Sequence, residues 1–181
     1  MIMPIADVGV PMLAIQWPVM FLTLIPVILI EFWIVCRRFQ GSRKTLFWGV
    51  CAANIFSTAV GIPLAWIVMT ILEMGSVDLV HFVLPRFDLP ISLVPIIQSP
   101  WLPPYEDQLY WMIPCASVIL LIPSFFVSTW MESVTCARMW KQQTKMDVRA
   151  ALWSANLASY AFLFIVGTGW LLWSILFLKG T

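Results

Sequence analysis

Apolar residues run almost unbroken through four stretches of this chain, and charged residues collect between them. A helix rises about 1.5 Å per residue and a hydrocarbon core is about 30 Å thick, so about 20 apolar residues suffice to cross it. The pattern predicts crossings at residues 12–36, 45–72, 110–132 and 148–178. The second and fourth exceed the minimum length, which implies tilt or an overhang into the headgroups. Residues 73–109 differ in kind. Six of the thirteen prolines fall there and interrupt apolar runs, such as 77–84 and 91–97, that are too short to span. A regular helix through that density of proline is improbable, so short helical or extended pieces on the outer leaflet, or capping the bundle, are expected.

Composition sharpens the picture. Hydrophobic residues make up 61% of the 181 positions and charged residues 10%. Soluble domains average about 45–50% and about 25%, and disordered chains are poorer still in apolar residues, so both classes are excluded. A net charge of +1 offers no attraction to nucleic acid. The expected fold class is all-α: a polytopic membrane protein, one membrane domain of four transmembrane helices.

Cations set the expected orientation. Arg37, Arg38, Arg43 and Lys44 lie between spans one and two, and Arg138, Lys141, Lys145 and Arg149 between spans three and four. These are eight of the ten basic residues, on two turns that four crossings place on one side. The positive-inside rule then puts both turns in the cytoplasm and both termini outside, in a plasma, inner or other energy-coupling membrane. Tryptophans cluster near both ends of the spans, Trp17 among the outer ones, as expected of an interfacial belt. The N-terminus has no positive region ahead of its apolar run and is expected to be retained as the first span.

Polar residues are rare inside the spans, yet those present recur in order. Span one ends on Glu31, Cys36 and Arg37; span three ends on Glu132, Cys136 and Arg138. Span two opens with Ala53-Asn54-Ile55-Phe56-Ser57 and span four with Ala155-Asn156-Leu157-Ala158-Ser159. The offset is 101 residues at the glutamates and 102 at the asparagines, so one extra residue in the second turn reconciles them. The order predicts an internal repeat: two helical hairpins running the same way through the membrane, related by a pseudo-twofold axis along its normal, as in parallel-repeat transporters.

The duplicated set Glu31, Asn54, Ser57 and Glu132, Asn156, Ser159 is the candidate intramembrane site. Each glutamate lies six residues before an arginine, about 9 Å along a helix. Insertion of an acidic residue costs about 2.5–3.5 kcal/mol at a helix centre, so these groups should face other helices. Two readings compete. One is interhelical glue, with Asn and Ser bonding across the bundle and Glu meeting an arginine of a neighbouring turn; the other is a proton or cation site with paired carboxylates. Pro26, Pro63 and Pro123 interrupt spans one, two and three, and Pro63 should strand the carbonyl of Ala59.

An apolar outer segment is either buried on its own helices or offered to a partner. Phe82, Leu84, Ile96, Ile97 and Trp101 are the candidate docking residues. Cys36, Cys51, Cys115 and Cys136 form no C-x-x-C pair, and no Cys/His cluster has zinc-ligand spacing. His81 is the only histidine, which rules out bis-histidine haem ligation within one chain. No nucleophile elbow, metalloprotease helix or phosphate loop occurs. The expectation is a non-enzymatic membrane protein without metal or cofactor: a subunit, scaffold or assembly factor contacting lipid and either other membrane subunits or further copies of itself. The alternative is a small oligomeric transporter of protons, cations or small solutes working through its Glu/Asn pairs.

Overall fold

A computed structural model describes residues 9–83 and 90–178 of the chain. Asp7, Arg86, Asp88 and Lys179, and Leu84 among the docking candidates, lie outside the described residues. The fold is all-helical apart from one pair of two-residue strands. In order come β1 (Val10–Pro11), α1 (Met12–Arg38), α2 (Arg43–Phe56), a π-turn (Ser57–Gly61), α3 (Ile62–Val83), α4 (Val94–Ile97), β2 (Trp101–Leu102), a 3-10 turn (Glu106–Gln108), α5 (Leu109–Met139) and α6 (Lys145–Phe177). Four helical stretches are long and apolar enough to cross a membrane: Met12–Arg38, Arg43–Gly75, Glu106–Met139 and Lys145–Phe177.

The helices run past the expected crossings at several ends. The second helical stretch does not end at residue 72 but continues to Val83, because a single Glu73 breaks no ladder and the first later proline is Pro85. The segment 73–109 therefore begins as helix. Irregular backbone is confined to its later part, where α4 and the 3-10 turn are the only helical pieces among the described residues. At the basic end α5 continues seven residues past 132, to Met139. The connections are short, with residues 39–42 joining α1 to α2 and residues 140–144 joining α5 to α6. The second is longer by one residue, the difference that the two offsets require.

The distribution of polarity is inverted relative to a protein folded in water. Leu22 is 77% exposed and Ile25 70%, whereas Glu31 and Glu132 are fully buried. Only 6% of the most apolar window of α6 is buried. Apolar side chains turned outward and carboxyls turned inward fit a hydrocarbon solvent, in which lipid tails replace the packing that water would enforce.

Two compact units divide the chain. The first comprises the described residues of Met1–Gln16, Trp66–Leu121 and Phe164–Thr181. Its core gathers Met12, Val94, Leu102, Met112, Ala116 and Leu120. There β1 pairs antiparallel with β2, and the carbonyl of Pro100 accepts both the Met12 amide at 3.0 Å and the Trp66 indole N–H at 2.9 Å. Proline cannot continue a helix, and here its carbonyl ties an irregular strand to two helices.

The second unit, Trp17–Ala65 with Ile122–Leu163, carries the candidate site. Its core draws Val35 from α1, Val50 and Ala53 from α2, Cys136 from α5, and Ala151, Leu152 and Ala155 from α6. Small residues at these positions let the helices approach closely. Gly49 is the tightest case, because a Cβ there would collide with the indole ring of Trp140.

Between α2 and α3 the backbone widens into a π-turn, in which the Ile62 amide donates to the carbonyl of Ser57, five residues back. In that register the amide that Pro63 lacks would have met Thr58 rather than Ala59. The Trp17 indole N–H supplies the missing donor, reaching the Thr58 carbonyl at 3.0 Å. The stranded carbonyl is thus one residue earlier than the sequence suggested, and Trp17 is tied inward rather than serving only as an interfacial ring.

Two outcomes are expected. Trp17→Phe keeps the ring but removes the donor, and should lower unfolding stability in micelles by about 1 kcal/mol. Gly49→Ala should cost about 1–3 kcal/mol by overpacking against Trp140, measured the same way.

Candidate intramembrane site

All six residues of the duplicated set meet inside the second unit, and all are buried. Each lies about two to four helical turns from a basic-end connection, on a face set by the 3.6-residue period. Asn54 precedes Ser57 by three residues and Asn156 precedes Ser159 by three, so each amide and hydroxyl share a face.

The contacts come in equivalent pairs. Asn54 Nδ2 donates to Glu31 Oε2 at 2.6 Å, and Asn156 Nδ2 donates to Glu132 Oε2 at 2.6 Å. The remaining amide proton of each asparagine goes back one turn, to the carbonyls of Val50 at 3.1 Å and Leu152 at 3.2 Å. That second bond fixes which end of each amide faces the carboxyl. The serines cross over: Ser57 Oγ lies 2.9 Å from Glu132 Oε1, and Ser159 Oγ lies 2.7 Å from Glu31 Oε1. Each carboxyl is therefore held by an asparagine from the helix that comes after it and by a serine from the other set. Neither meets an arginine among the described residues, which corrects the glue reading on that point.

Proton counting constrains the chemistry. Each serine oxygen has two acceptors in reach, its carboxyl and the carbonyl of its own asparagine at 3.1 Å, but a single proton to give. The two carboxyls are also within hydrogen-bonding reach of each other. Ionised carboxylates only accept, so two of them in contact need a proton between them. A protonated carboxyl donating to serine, which then donates to the asparagine carbonyl, satisfies every contact in its half of the cluster. The arrangement therefore suits a pair of carboxyls of which at least one carries its proton.

A cavity of about 20 Å³ adjoins the cluster, enough for one water molecule. Glu132, Asn54 and Ser57 line it from one side, and Thr58, Ser128 and Tyr160 add hydroxyls. Tyr160 OH bonds Ser128 Oγ at 2.9 Å. Sequence reasoning missed both residues, although Ser128 lies four before Glu132 and Tyr160 four after Asn156. That spacing places each on the face of a site residue and was the available signal. No group of three or more potential metal ligands occurs among the described residues.

The outer candidates are placed differently. Ile96 and Ile97, on α4, are exposed, whereas Trp101 is half-buried in the strand pair with its ring 6.0 Å from that of Trp66. Leu84 and the side chain of Phe82 lie outside the described residues.

No family model matches this chain, nor does any curated protein or solved structure.

If the two halves of the cluster do the same work, Ser57→Ala and Ser159→Ala should each lower stability by about 1 kcal/mol, with matching values within error. Steric-trap or denaturant unfolding in micelles measures both. Glu132→Ala should cost more, about 2–4 kcal/mol, because it leaves a hole and strands a buried amide proton of Asn156.

Proposed function

We propose that this is a non-enzymatic integral membrane protein, a subunit, scaffold or assembly factor whose two helical hairpins are clasped by the carboxyl cluster. In this reading the hairpins are parallel-related repeats, both basic connections face the cytoplasm, and both termini lie outside. The supporting observation is the closure of the cluster on itself: every carboxyl oxygen is engaged, and the adjoining space admits a single water. Such a network specifies one packing of four apolar helices and leaves their outer faces for lipid and partner helices. Ile96 and Ile97 offer a second apolar contact on the outer segment.

Extraction in mild detergent followed by native mass measurement tests the assignment. A co-purifying membrane chain or a defined oligomer is expected, and it should survive Glu31→Gln with Glu132→Gln because the amides preserve shape and neutrality. A lone monodisperse monomer would overturn it.

The water-sized cavity against Glu132 favours a second reading, proton transfer through the cluster. Asn156, whose amide donates to Glu132, keeps its Oδ1 buried without a partner, a spare acceptor within the cluster. Proteoliposomes carrying a pH-sensitive dye separate the two. Proton flux that the Gln pair abolishes would support transfer, and unchanged flux would remove the carboxyls from any transport role.

A further inference from the structure

A groove of the second unit lies between α5 and α6 at their basic ends, and it plays no part in the carboxyl cluster. Its volume is about 430 Å³, within the range of about 300–1,000 Å³ typical of pockets for organic ligands. Two stripes at four-residue spacing face it: Phe126, Trp130 and Arg138 on α5, and Lys145, Arg149 and Trp153 on α6. Cations therefore occupy the rim, and Trp130 lies about 12 Å deeper than Arg138 on α5, as Trp153 does relative to Lys145 on α6.

The wall is one-signed. No carboxylate lines it, and among the described residues none of the three cations has an ion-pair partner. The nearby Asp147 is engaged in capping α6, accepting from Thr144 Oγ1 at 2.6 Å while its own amide donates back at 3.2 Å. The corresponding arginine of the other set behaves differently, because Arg37 lies over the ring of Trp33 at 3.7 Å. A second observation points to a ligand. Thr129 lines the groove, is 3% exposed, and its Oγ1 has no hydrogen-bond partner. A helical threonine can bond a carbonyl one turn back, and this one does not, so the groove wall holds a buried hydroxyl with its proton unspent.

We infer that the groove between α5 and α6 is a binding site for one anionic phospholipid. Arg138, Lys145 and Arg149 take the phosphate and the headgroup charge, Thr129 donates to an ester carbonyl below them, and an acyl chain runs along Trp130, Phe126 and Trp153. Charge complementarity selects an anionic over a zwitterionic lipid, and the gradient from cations to aromatic rings over about 12 Å matches the descent from headgroup to hydrocarbon. The inference needs membrane embedding but no partner subunit, so it stands apart from the scaffold reading.

Native mass spectrometry of the full chain with phosphatidylglycerol against phosphatidylcholine tests it. One retained phosphatidylglycerol per chain is expected, preferred at least tenfold. Each of Arg138→Gln, Lys145→Gln and Arg149→Gln should reduce the preference about fivefold, near the worth of one surface cation, and the groove triple that combines them should abolish it. The control triple Arg37→Gln, Arg43→Gln and Lys44→Gln removes equal charge from the other connection and should leave the preference unchanged. Equal loss in both triples would mean diffuse surface charge and would overturn the site, as would displacement of the lipid by equimolar glycerol phosphate. Thr129→Val, with every cation intact, should weaken retention about threefold for the ester lipid and not for its ether-linked analogue. Should the groove triple not fold, the wild-type chain still decides. Brominated phosphatidylglycerol must quench tryptophan fluorescence more than brominated phosphatidylcholine, and the excess must vanish in Trp130→Phe with Trp153→Phe. Equal quenching by the two lipids would refute the site.

Discussion

Two carboxyl groups buried among apolar helices impose the constraint on which the second unit is organised. In a low-dielectric interior an unpaired polar group costs several kcal/mol, and water is not at hand to relieve it. Arginine could neutralise the charge, but eight of the ten basic residues stay at the ends of helices. The chain uses amides and hydroxyls instead, which demand direction as well as proximity. Asn54 and Asn156 each spend one proton on a carboxyl and one on their own helix, so the rotation of that helix is fixed along with the contact. Because the serines cross between sets, each carboxyl draws on three helices, and the two together on all four.

Backbone geometry answers to the same requirement. The π-turn begins at Ser57, the residue that reaches across to Glu132. A π-turn adds a residue to one turn and re-aims the side chains beyond it, a device often found where a particular group must be placed. Pro63 lies just past the turn, and in the wider register its missing amide leaves Thr58 without a donor until Trp17 arrives. Carboxyl, turn, proline and tryptophan form one chain of consequences.

How much of this could be read from the sequence depends on what each signal encodes. Hydropathy located four helices long and apolar enough to cross a membrane, because a long unbroken apolar run has few alternatives to helix. The candidate cluster was visible because Glu, Asn and Ser stand out where polar residues are scarce, and their helical spacing placed them on common faces. Which hydroxyl meets which carboxyl was not visible: periodicity assigns faces within a helix and says nothing of the neighbour opposite. The arginine partner expected for Glu31 and Glu132 failed for this reason. Glu73 proved a poor marker for the end of α3, because one carboxyl removes no backbone hydrogen bond and the helix runs through it. Position near a helix end suggested an interfacial role for Trp17, whereas the π-register that recruits it depends on a backbone choice made 41 residues away.

The places where the two sets differ carry as much meaning as those where they agree. At the carboxyls, amides and serines the correspondence holds atom for atom, because any change there would leave a buried group unpaired. One turn away it lapses. Tyr160 stands where Thr58 does and Ser128 where Val27 does, which gives the water-sized cavity hydroxyls on the α5 and α6 side. Farther out, Arg37 is spent on Trp33, while Arg138 faces an open groove. Satisfaction of the carboxyls limits what the centre can vary, and that limit weakens with distance from it. The first set departs through its π-turn and the Arg37–Trp33 stack, the second through the hydroxyls and the open groove of α5 and α6, which is where a ligand has room to act.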